Sequence, residues 1–270
     1  MKATTILFLS IFAFSILNCK KRENQTTKTD TTALSNQEYY QLKIYTFENE
    51  DQEKVTDTYL KNAYLPGLKK LGIQNVGVFK PVPNDKDTIQ KTYVLMPFKT
   101  VNQFLFLKEN LSKDTTYLKA GNSYINAPHD QTPYKRIESI VLKAFADMPI
   151  MRPSALNSPR SERIYELRSY ESPTEQYHKN KVTMFNEGGE VKLFDQLDFN
   201  AVFYGEVISG AKMPNLMYMT TFANQESRDA HWKSFGNAPE WKTLSEEPKY
   251  KNNVSHIDIS FLYPTEYSDY

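Results

Sequence analysis

The chain has 270 residues, with 33 Lys and Arg against 32 Asp and Glu, so its formal net charge is +1. Such a chain lacks the basic surplus that nucleic-acid-binding proteins use, and we expect no nucleic-acid partner. Hydrophobic residues make up 40% of the sequence and cysteine occurs once, which argues against general disorder and excludes an intrachain disulfide or a cysteine-only metal cluster.

The N-terminus has the pattern of a secretory signal. Lys2 precedes an apolar run that extends to Leu17, so residues 1–18 are predicted to be a signal peptide. The run ends in Ile-Leu-Asn-Cys, which resembles the cleavage box of bacterial lipoproteins and makes Cys19 the predicted lipidation site. Residues 19–37 are polar and predict a flexible tether. We therefore expect a membrane anchor in the bacterial cell envelope, periplasmic or surface-facing; the alternative is an ordinary signal peptide with an incidental cysteine.

The first half of the remaining chain, residues 38–146, predicts one small domain. Its apolar periodicity alternates between the patterns of strands and of helices. The order is β-α-β-β-α-β, the ferredoxin-like arrangement. The predicted elements are a strand at 39–47, a helix around 51–70, strands near 73–82 and 91–98, helices over about 100–120 and a strand at 136–146.

The second half, residues 162–264, repeats the first after a linker at 147–161 that contains three prolines. Moving the first strand along by 125 positions aligns Tyr40 with Tyr165 and Lys43 with Arg168, and later strands align at 124. A nearly constant offset indicates an internal duplication. The repeated elements are strands at 162–171, 199–208, 215–222 and 254–263, with helices at 174–195 and 225–246.

The helices of each half can cover only one face of its sheet, so the other face needs a partner. The two halves can supply it to each other. We therefore predict an α+β fold of tandem ferredoxin-like domains that pack sheet on sheet as a barrel-like pseudo-dimer.

Two segments of the second half carry a family resemblance. The strand Ile-Tyr-Glu-Leu-Arg-Ser-Tyr at 164–170, and the R-x-x-x-W helix followed by Pro-Glu-Trp at 228–242, resemble the corresponding segments of NIPSNAP domains. Residues 162–264 are thus similar to that family, and the first half is a divergent copy without the Pro-Glu-Trp segment. The resemblance implies a dimeric α+β barrel, here as a pseudo-dimer, but no established reaction. The wider superfamily includes monooxygenases, haem-degrading enzymes and isomerases, whose activities do not transfer by fold alone.

Two histidines of the second half are candidates for chemistry. His231 lies beside Trp232 on a predicted helix, where it faces either a pocket or the sheet. His256 and Asp258 are two residues apart on the last strand, so their side chains share a face and form either an acid–base pair or an ordinary polar strand face. No metal-binding spacing such as H-E-x-x-H is present, so no metal is predicted and the cofactor is left open.

Polar strand residues complete the predicted pocket. Arg168, Glu206 and Tyr218 would line a cavity if their faces point into the barrel; otherwise they face solvent or an interface. Gly188 and Gly189 predict a break in the helical region around them. The candidate pocket residues are Arg168, Tyr204, Glu206, Tyr218, His231 and His256.

Three classes of function remain open. The first is a membrane-tethered module that binds a small hydrophobic ligand or a protein partner. The second is a cofactor-independent or haem-linked monooxygenase or isomerase, and the third is a subunit whose open barrel edge joins another chain. The sequence shows no nucleophile elbow, dinucleotide fingerprint or P-loop, so the catalytic residues are unknown.

Overall fold

Eight antiparallel strands form a closed barrel in the computed structural model, which describes residues 36–83 and 90–270. The predicted signal peptide, Cys19 and nearly all of the predicted tether lie outside the described residues. The order around the barrel is β1-β3-β2-β8-β5-β7-β6-β4. The strands are β1 (Tyr39–Thr46), β2 (Gly77–Pro81), β3 (Lys91–Phe98), β4 (Arg136–Ala144), β5 (Ile164–Glu171), β6 (Ala201–Ser209), β7 (Asn215–Phe222) and β8 (His256–Pro264).

Each half contributes four consecutive strands, and the halves meet at two equivalent seams. The second strand of each half pairs with the last strand of the other, as β2 with β8 and β6 with β4. The α+β tandem of ferredoxin-like halves predicted from the sequence is confirmed. Because the described strands close into a barrel, the open edge expected for a subunit-joining role is absent from this part of the chain, and that expectation was wrong.

Aromatic and aliphatic side chains fill the barrel. Strand alternation places one set of residues inside, where Tyr40 meets Phe203 edge-on with ring centres 5.4 Å apart. The C-terminal Tyr270 is buried among them, 5.7 Å from the ring of Phe79. The two sheets therefore share one core. Other members are Leu42, Leu95, Leu142, Tyr165, Leu167, Met217, Met219 and Leu262.

The helices cover the outer face of each sheet. Polar residues cap several of them: the Asn49 side chain accepts a hydrogen bond from the backbone of Gln52 at 3.0 Å, and Asn224 caps the second-half helix that carries Trp232. No described helix is both long and apolar enough to cross a membrane. The first-half helices are α1 (Glu50–Tyr59), α2 (Leu65–Lys70), α3 (Val101–Leu105), α4 (Leu107–Leu111), α5 (Thr115–Ala120) and α6 (Asn122–Ile125); those of the second half are α7 (Glu175–Phe185), α8 (Glu190–Gln196), α9 (Gln225–Asn237) and α10 (Pro239–Glu246). A π-helical turn at Leu60–Tyr64 joins α1 to α2, and a 3₁₀ turn at Pro248–Tyr250 follows α10.

The helix break predicted at the two glycines is confirmed. Helix α7 ends at Phe185, and α8 begins at Glu190 after Gly189, whose φ of 87° is left-handed. At Gly188 a Cβ atom would lie 2.5 Å from the carbonyl oxygen of Met184. Both positions therefore favour glycine, one through its conformation and one through close backbone packing.

Candidate functional site

In the second half, a buried carboxylate ties the sheet to helix α9. Glu166 on β5 is fully buried and accepts hydrogen bonds from Arg228 at 2.8 and 2.9 Å, from the Trp232 indole at 2.8 Å and from Arg168 at 2.7 Å. Burial raises the pKa of Glu166, but the bonds from Arg228 and Trp232 and the charge of Arg168 outweigh it, so the pKa lies below its usual value. The Arg168 guanidinium lies 3.6 Å from the centre of the Trp232 ring. The carboxylate is thus enclosed by its own partners.

Tyrosines extend this cluster. Arg168 donates to the Tyr170 hydroxyl at 3.1 Å, and that hydroxyl lies 2.8 Å from the hydroxyl of Tyr218. Tyr204 stacks on Tyr218 with ring centres 5.6 Å apart. Three predicted pocket residues, Arg168, Tyr204 and Tyr218, are therefore close together. We refer to Glu166, Arg168, Tyr170, Tyr218, Arg228 and Trp232 as the Glu166 cluster.

The Glu166 cluster lies on the outer face of the sheet, beneath the helices. On β5 the residues that point into the barrel are Tyr165 and Leu167, so Glu166 and Arg168 point outward. Of the two alternatives for Arg168, Glu206 and Tyr218, the barrel cavity was wrong, because all three lie on the face of the sheet that the helices cover. Alternation shows which residues share a face, but not which face is turned inward.

The other predicted residues lie apart from the cluster. Glu206 pairs with His178 at 3.2 Å, and His178 is a buried residue that the sequence analysis did not select. His231 bonds the Ser227 carbonyl at 2.6 Å through Nδ1 and packs against Phe222 at 5.4 Å. These contacts describe a packed helix residue, so His231 does not join the tyrosines in a common pocket.

His256 lies at the start of β8, where it pairs with Glu171 at the end of β5. Its ring contacts Asp258 at 3.0 Å, which confirms the shared strand face. Glu171, His256 and Asp258 have potential metal-ligand atoms within 4.8 Å of one another. The ammonium of Lys212 already pairs there with Asp258, and with Glu171 at 3.6 Å. One of the two negative charges is therefore balanced by a lysine of the same chain.

The first half contains a cavity of about 560 Å³ between its sheet and its helices. Five tyrosines form much of its wall, and Lys43 on β1 and Lys108 on α4 are its two charged residues. We call it the tyrosine cavity. It is lined by Gln41, Lys43, Tyr59, Tyr64, Phe104, Leu105, Leu107, Lys108, Leu111, Tyr117, Tyr124, Ile125 and Tyr134.

The tyrosine wall is rigidly assembled. Tyr59 and Tyr124 stack with ring centres 3.8 Å apart and an interplanar angle of 2°, and Tyr59 also bonds the Tyr117 hydroxyl at 2.8 Å. Tyr64 comes from the π-helical turn, a local irregularity that is frequent at functional sites. Burial raises the pKa of all four tyrosines, so their hydroxyls stay neutral around pH 7.

Lys43 is the unusual group in this cavity. Its ammonium lies 4.9 Å from the ring centre of Tyr64 and 5.3 Å from that of Tyr45. Within the described residues it has no carboxylate partner. Burial, assisted by the nearby charge of Lys108, lowers the pKa of Lys43 to about 8. The amine is therefore held in an environment that disfavours its charge.

The tyrosine cavity occupies the place of the Glu166 cluster in the other half. At the repeat offset of 125, Gln41 stands where the second half has Glu166, and Lys43 where it has Arg168. At the offset of 124, Val94 replaces Tyr218 and Lys108 replaces Trp232. A small residue and a long flexible one replace two large rings, so the space that the second half fills is left open. These differences are visible when the two halves of the sequence are aligned, although the candidate residues predicted from the sequence all lie in the second half.

Two other cavities are less distinctive. One of about 650 Å³ lies between the linker and α8, where Arg152 and Asp195 approach to 3.9 Å and Lys192 and Asp198 also line the wall. Its charges are mixed and largely balanced. The other, of about 230 Å³, opens at one end of the barrel beside Lys212 and Asp258.

The comparisons with known proteins agree with the duplicated barrel. Residues 165–269 match the NIPSNAP family model. The second half of the chain is thus similar to NIPSNAP domains over these residues. No curated protein sequence matches the chain significantly.

Solved structures with the same fold come from several bacteria. A monooxygenase candidate from Lactobacillus acidophilus is 12% identical over 84% of this chain and 94% of its own, with a TM-score of 0.53. A second, from Fusobacterium nucleatum, is 10% identical over 84% and 92%, also with a TM-score of 0.53. A NIPSNAP family protein from Agrobacterium tumefaciens is 17% identical over 40% of this chain and 98% of its own, with a TM-score of 0.35. At these identities the first two support a common barrel fold around the NIPSNAP domain and leave the reaction open.

Proposed function

We propose that this NIPSNAP-domain protein binds a small, largely hydrophobic molecule in the tyrosine cavity. The observation that carries the proposal is a cavity of about 560 Å³ whose wall combines five tyrosines with two lysines. Small-molecule sites are concave, largely apolar and furnished with a few polar groups, and they span roughly 300–1,000 Å³. In this proposal the NIPSNAP half serves as a closed support, since the Glu166 cluster fills the equivalent space with its own side chains.

We also propose that the protein is attached to a membrane of the cell envelope. The support is the sequence pattern of an apolar leader, Cys19 and a polar tether, in the order that a surface-anchored domain needs. Acyl chains contribute about 0.8 kcal/mol per buried CH₂ group, so two or three chains give firm attachment. A tethered binding module would act on ligands close to that membrane.

Ligand binding is tested with the neutral fluorescent probe N-phenyl-1-naphthylamine and the full chain. We expect saturable binding to the wild type and about five- to tenfold weaker binding to Tyr124→Leu, because aromatic contacts are worth roughly 0.5–1.5 kcal/mol. Tyr177→Leu is the matched control, since Tyr177 is an exposed residue of α7 away from the cavity. Absence of saturable binding, or equal weakening by both substitutions, contradicts the proposal.

A second candidate is a cofactor-independent monooxygenase or isomerase. Lys43 favours it, because a pKa lowered to about 8 lets the amine act as a base near neutral pH. The residues that line the tyrosine cavity include no histidine, so a histidine-held haem does not fit there and we derive no step through one. If the chain turns over any of a panel of aromatic and β-dicarbonyl carbon acids, Lys43→Met should abolish the activity and the wild-type rate should rise with pH through about 8. If no compound of the panel is turned over, ligand binding is the function that we retain.

A further inference from the structure

The charges of the two halves differ at one pair of equivalent positions. In the second half the cation Arg168 lies against the carboxylate of Glu166, with nitrogen–oxygen distances of 2.6 and 2.7 Å. In the first half the cation is retained as Lys43, but the neutral Gln41 replaces the carboxylate, and its amide bonds the Ser139 hydroxyl at 2.6 Å. The first half therefore has a cation at the position of Arg168 but no carboxylate at the position of Glu166.

None of the other residues that line the tyrosine cavity supplies a negative charge to compensate Lys43. The other charged lining residue, Lys108, is a second cation, and the lining set contains no Asp or Glu. Lys108 likewise has no ion-pair partner among the described residues. Lys108 is exposed, but Lys43 is half-buried, and a charge that is partly removed from water is unfavourable unless it is paired and hydrogen-bonded. The cavity is therefore complementary to an anion.

We propose that the ligand of the tyrosine cavity is a carboxylate with an aromatic or aliphatic body. The carboxylate takes the place that Glu166 has in the second half and pairs with Lys43, while Lys108 lies at the exposed side of the cavity. The body of the ligand packs among Tyr59, Tyr64 and Tyr124. This inference rests on the proposed function, and it adds the class of ligand and the residue that selects it.

Ligand charge is tested with 2-naphthoate and its neutral isostere 2-naphthamide, titrated against the full chain. We expect the wild type to bind the carboxylate at least about tenfold more tightly, because charge-assisted hydrogen bonds are roughly twice as strong as neutral ones. Burial holds the pKa of Lys43 at about 8, so pairing with a carboxylate should also draw a proton onto the amine. Calorimetry in buffers of different ionisation enthalpy, at about pH 8.5, should detect that proton uptake.

Four variants test which residues cause the preference for the carboxylate. Lys43→Met removes the cation, and Gln41→Glu supplies an internal carboxylate at the position equivalent to Glu166; both should abolish the preference and the proton uptake. Gln176→Glu, an exposed residue of α7, makes the same charge change away from the cavity and should leave both intact. Lys43→Arg should restore the preference without proton uptake, because arginine is always charged.

Other results separate the two proposals. Equal affinity of the wild type for the two naphthalene probes, a preference that survives Lys43→Met, or binding of neither probe would overturn the ligand class. If N-phenyl-1-naphthylamine still binds in those cases, the cavity remains a ligand site and only the inference about charge fails. If that neutral probe also fails to bind, the proposed function fails with it.

Discussion

Glu166 and Arg228 are joined by two hydrogen bonds of 2.8 and 2.9 Å, which connect strand β5 to helix α9 across 62 positions of sequence. The carboxylate is fully buried, whereas the arginine side chain is 18% exposed. Arg168 and the Trp232 indole bind the same carboxylate. One residue thus holds the helix, the strand and a second cation in place.

Removing that charge should be costly. Glu166→Gln leaves two guanidinium groups around a neutral amide, and loss of one partner of a buried pair costs about 3–5 kcal/mol. We expect about 3 kcal/mol less free energy of unfolding in urea, because Arg228 retains some contact with water. Glu50→Gln is the control: Glu50 and Lys54 are 73% and 70% exposed, and such a pair is worth under about 1 kcal/mol. Equal effects of the two substitutions would show that the Glu166 cluster is not structural.

The same carboxylate predicts a pH dependence. Its pKa is lowered in the folded state, so its contribution to stability is complete above the usual value of 4.5 and is lost as the pH falls through the folded pKa. The difference in unfolding free energy between wild type and Glu166→Gln should therefore be constant from about pH 7 to 5 and shrink below about 4.5. Urea titrations across this range measure it. A difference that persists unchanged to about pH 3 contradicts the assignment.

Lys43 predicts a pH dependence of stability with the opposite sign to that of Glu166. Its pKa falls from 10.5 to about 8 on folding, so the protonated amine destabilises the folded state below about pH 8, and this cost disappears as the pH rises towards 10.5. Lys43→Met should therefore be more stable than the wild type at about pH 7, by up to about 3 kcal/mol, with a gain that shrinks by about pH 9.5. Lys61→Met, on the exposed side of the π-helical turn, should show no such trend. A destabilised Lys43→Met would mean that the amine has a partner when the cavity is empty.

The helix break provides a backbone test. Gly189→Ala forces a residue with a side chain to a φ of 87° and should cost about 1–2 kcal/mol. Gly236, in α9, has a helical conformation and open space around its Cβ position. Gly236→Ala should therefore be neutral or stabilising by up to about 1 kcal/mol. Thermal unfolding of both variants, with folding checked by circular dichroism, measures the contrast; destabilisation of equal size at the two glycines would contradict it.

The proposed membrane anchor is tested at Cys19. In a bacterium that processes lipoproteins, the wild type should fractionate with membranes and its N-terminal peptide should carry the mass of attached acyl chains. Cys19→Ser removes the thiol to which lipid is added, so that mass should disappear and the protein should shift to the soluble fraction. Recovery of both proteins with membranes, without a lipid mass, would show that something other than lipidation attaches the chain.

The sequence predicted the strands more closely than the site. Strand β3 begins and ends at the predicted residues 91–98, because a continuous, largely apolar run between polar segments predicts a strand that is buried on both faces. Strand β2 begins later than predicted, at Gly77. Ile73 and Val76 are buried, but Asn75 between them has a left-handed φ of 56°, so the extended conformation starts only after it. In the first helical region, Pro66 lacks the N–H that a regular helix would use, and the π-helical turn directly precedes α2.

The candidate site could not be predicted from the sequence in full, because the periodicity of apolar residues does not show which face of a sheet the helices cover. Alternation grouped Arg168 with Glu166, but only the closed barrel shows that this face is covered by helices. The contact of Glu166 with Arg228 depends on how α9 crosses the sheet, which no local pattern specifies. The tyrosine cavity depends on residues of seven separate elements and of the loop before β4, yet the difference between Gln41 and Glu166 was visible by aligning the repeats.

The two seams of the barrel lie within one polypeptide. In a barrel assembled from two identical subunits, every substitution appears twice, so a lysine without a carboxylate partner on one side would be accompanied by another on the opposite side. A fused chain is free of that symmetry. One copy has a buried acid in a filled interior, while the other has the neutral Gln41 and an open basic recess. Under the proposed function, one copy supports the barrel and the other binds the ligand.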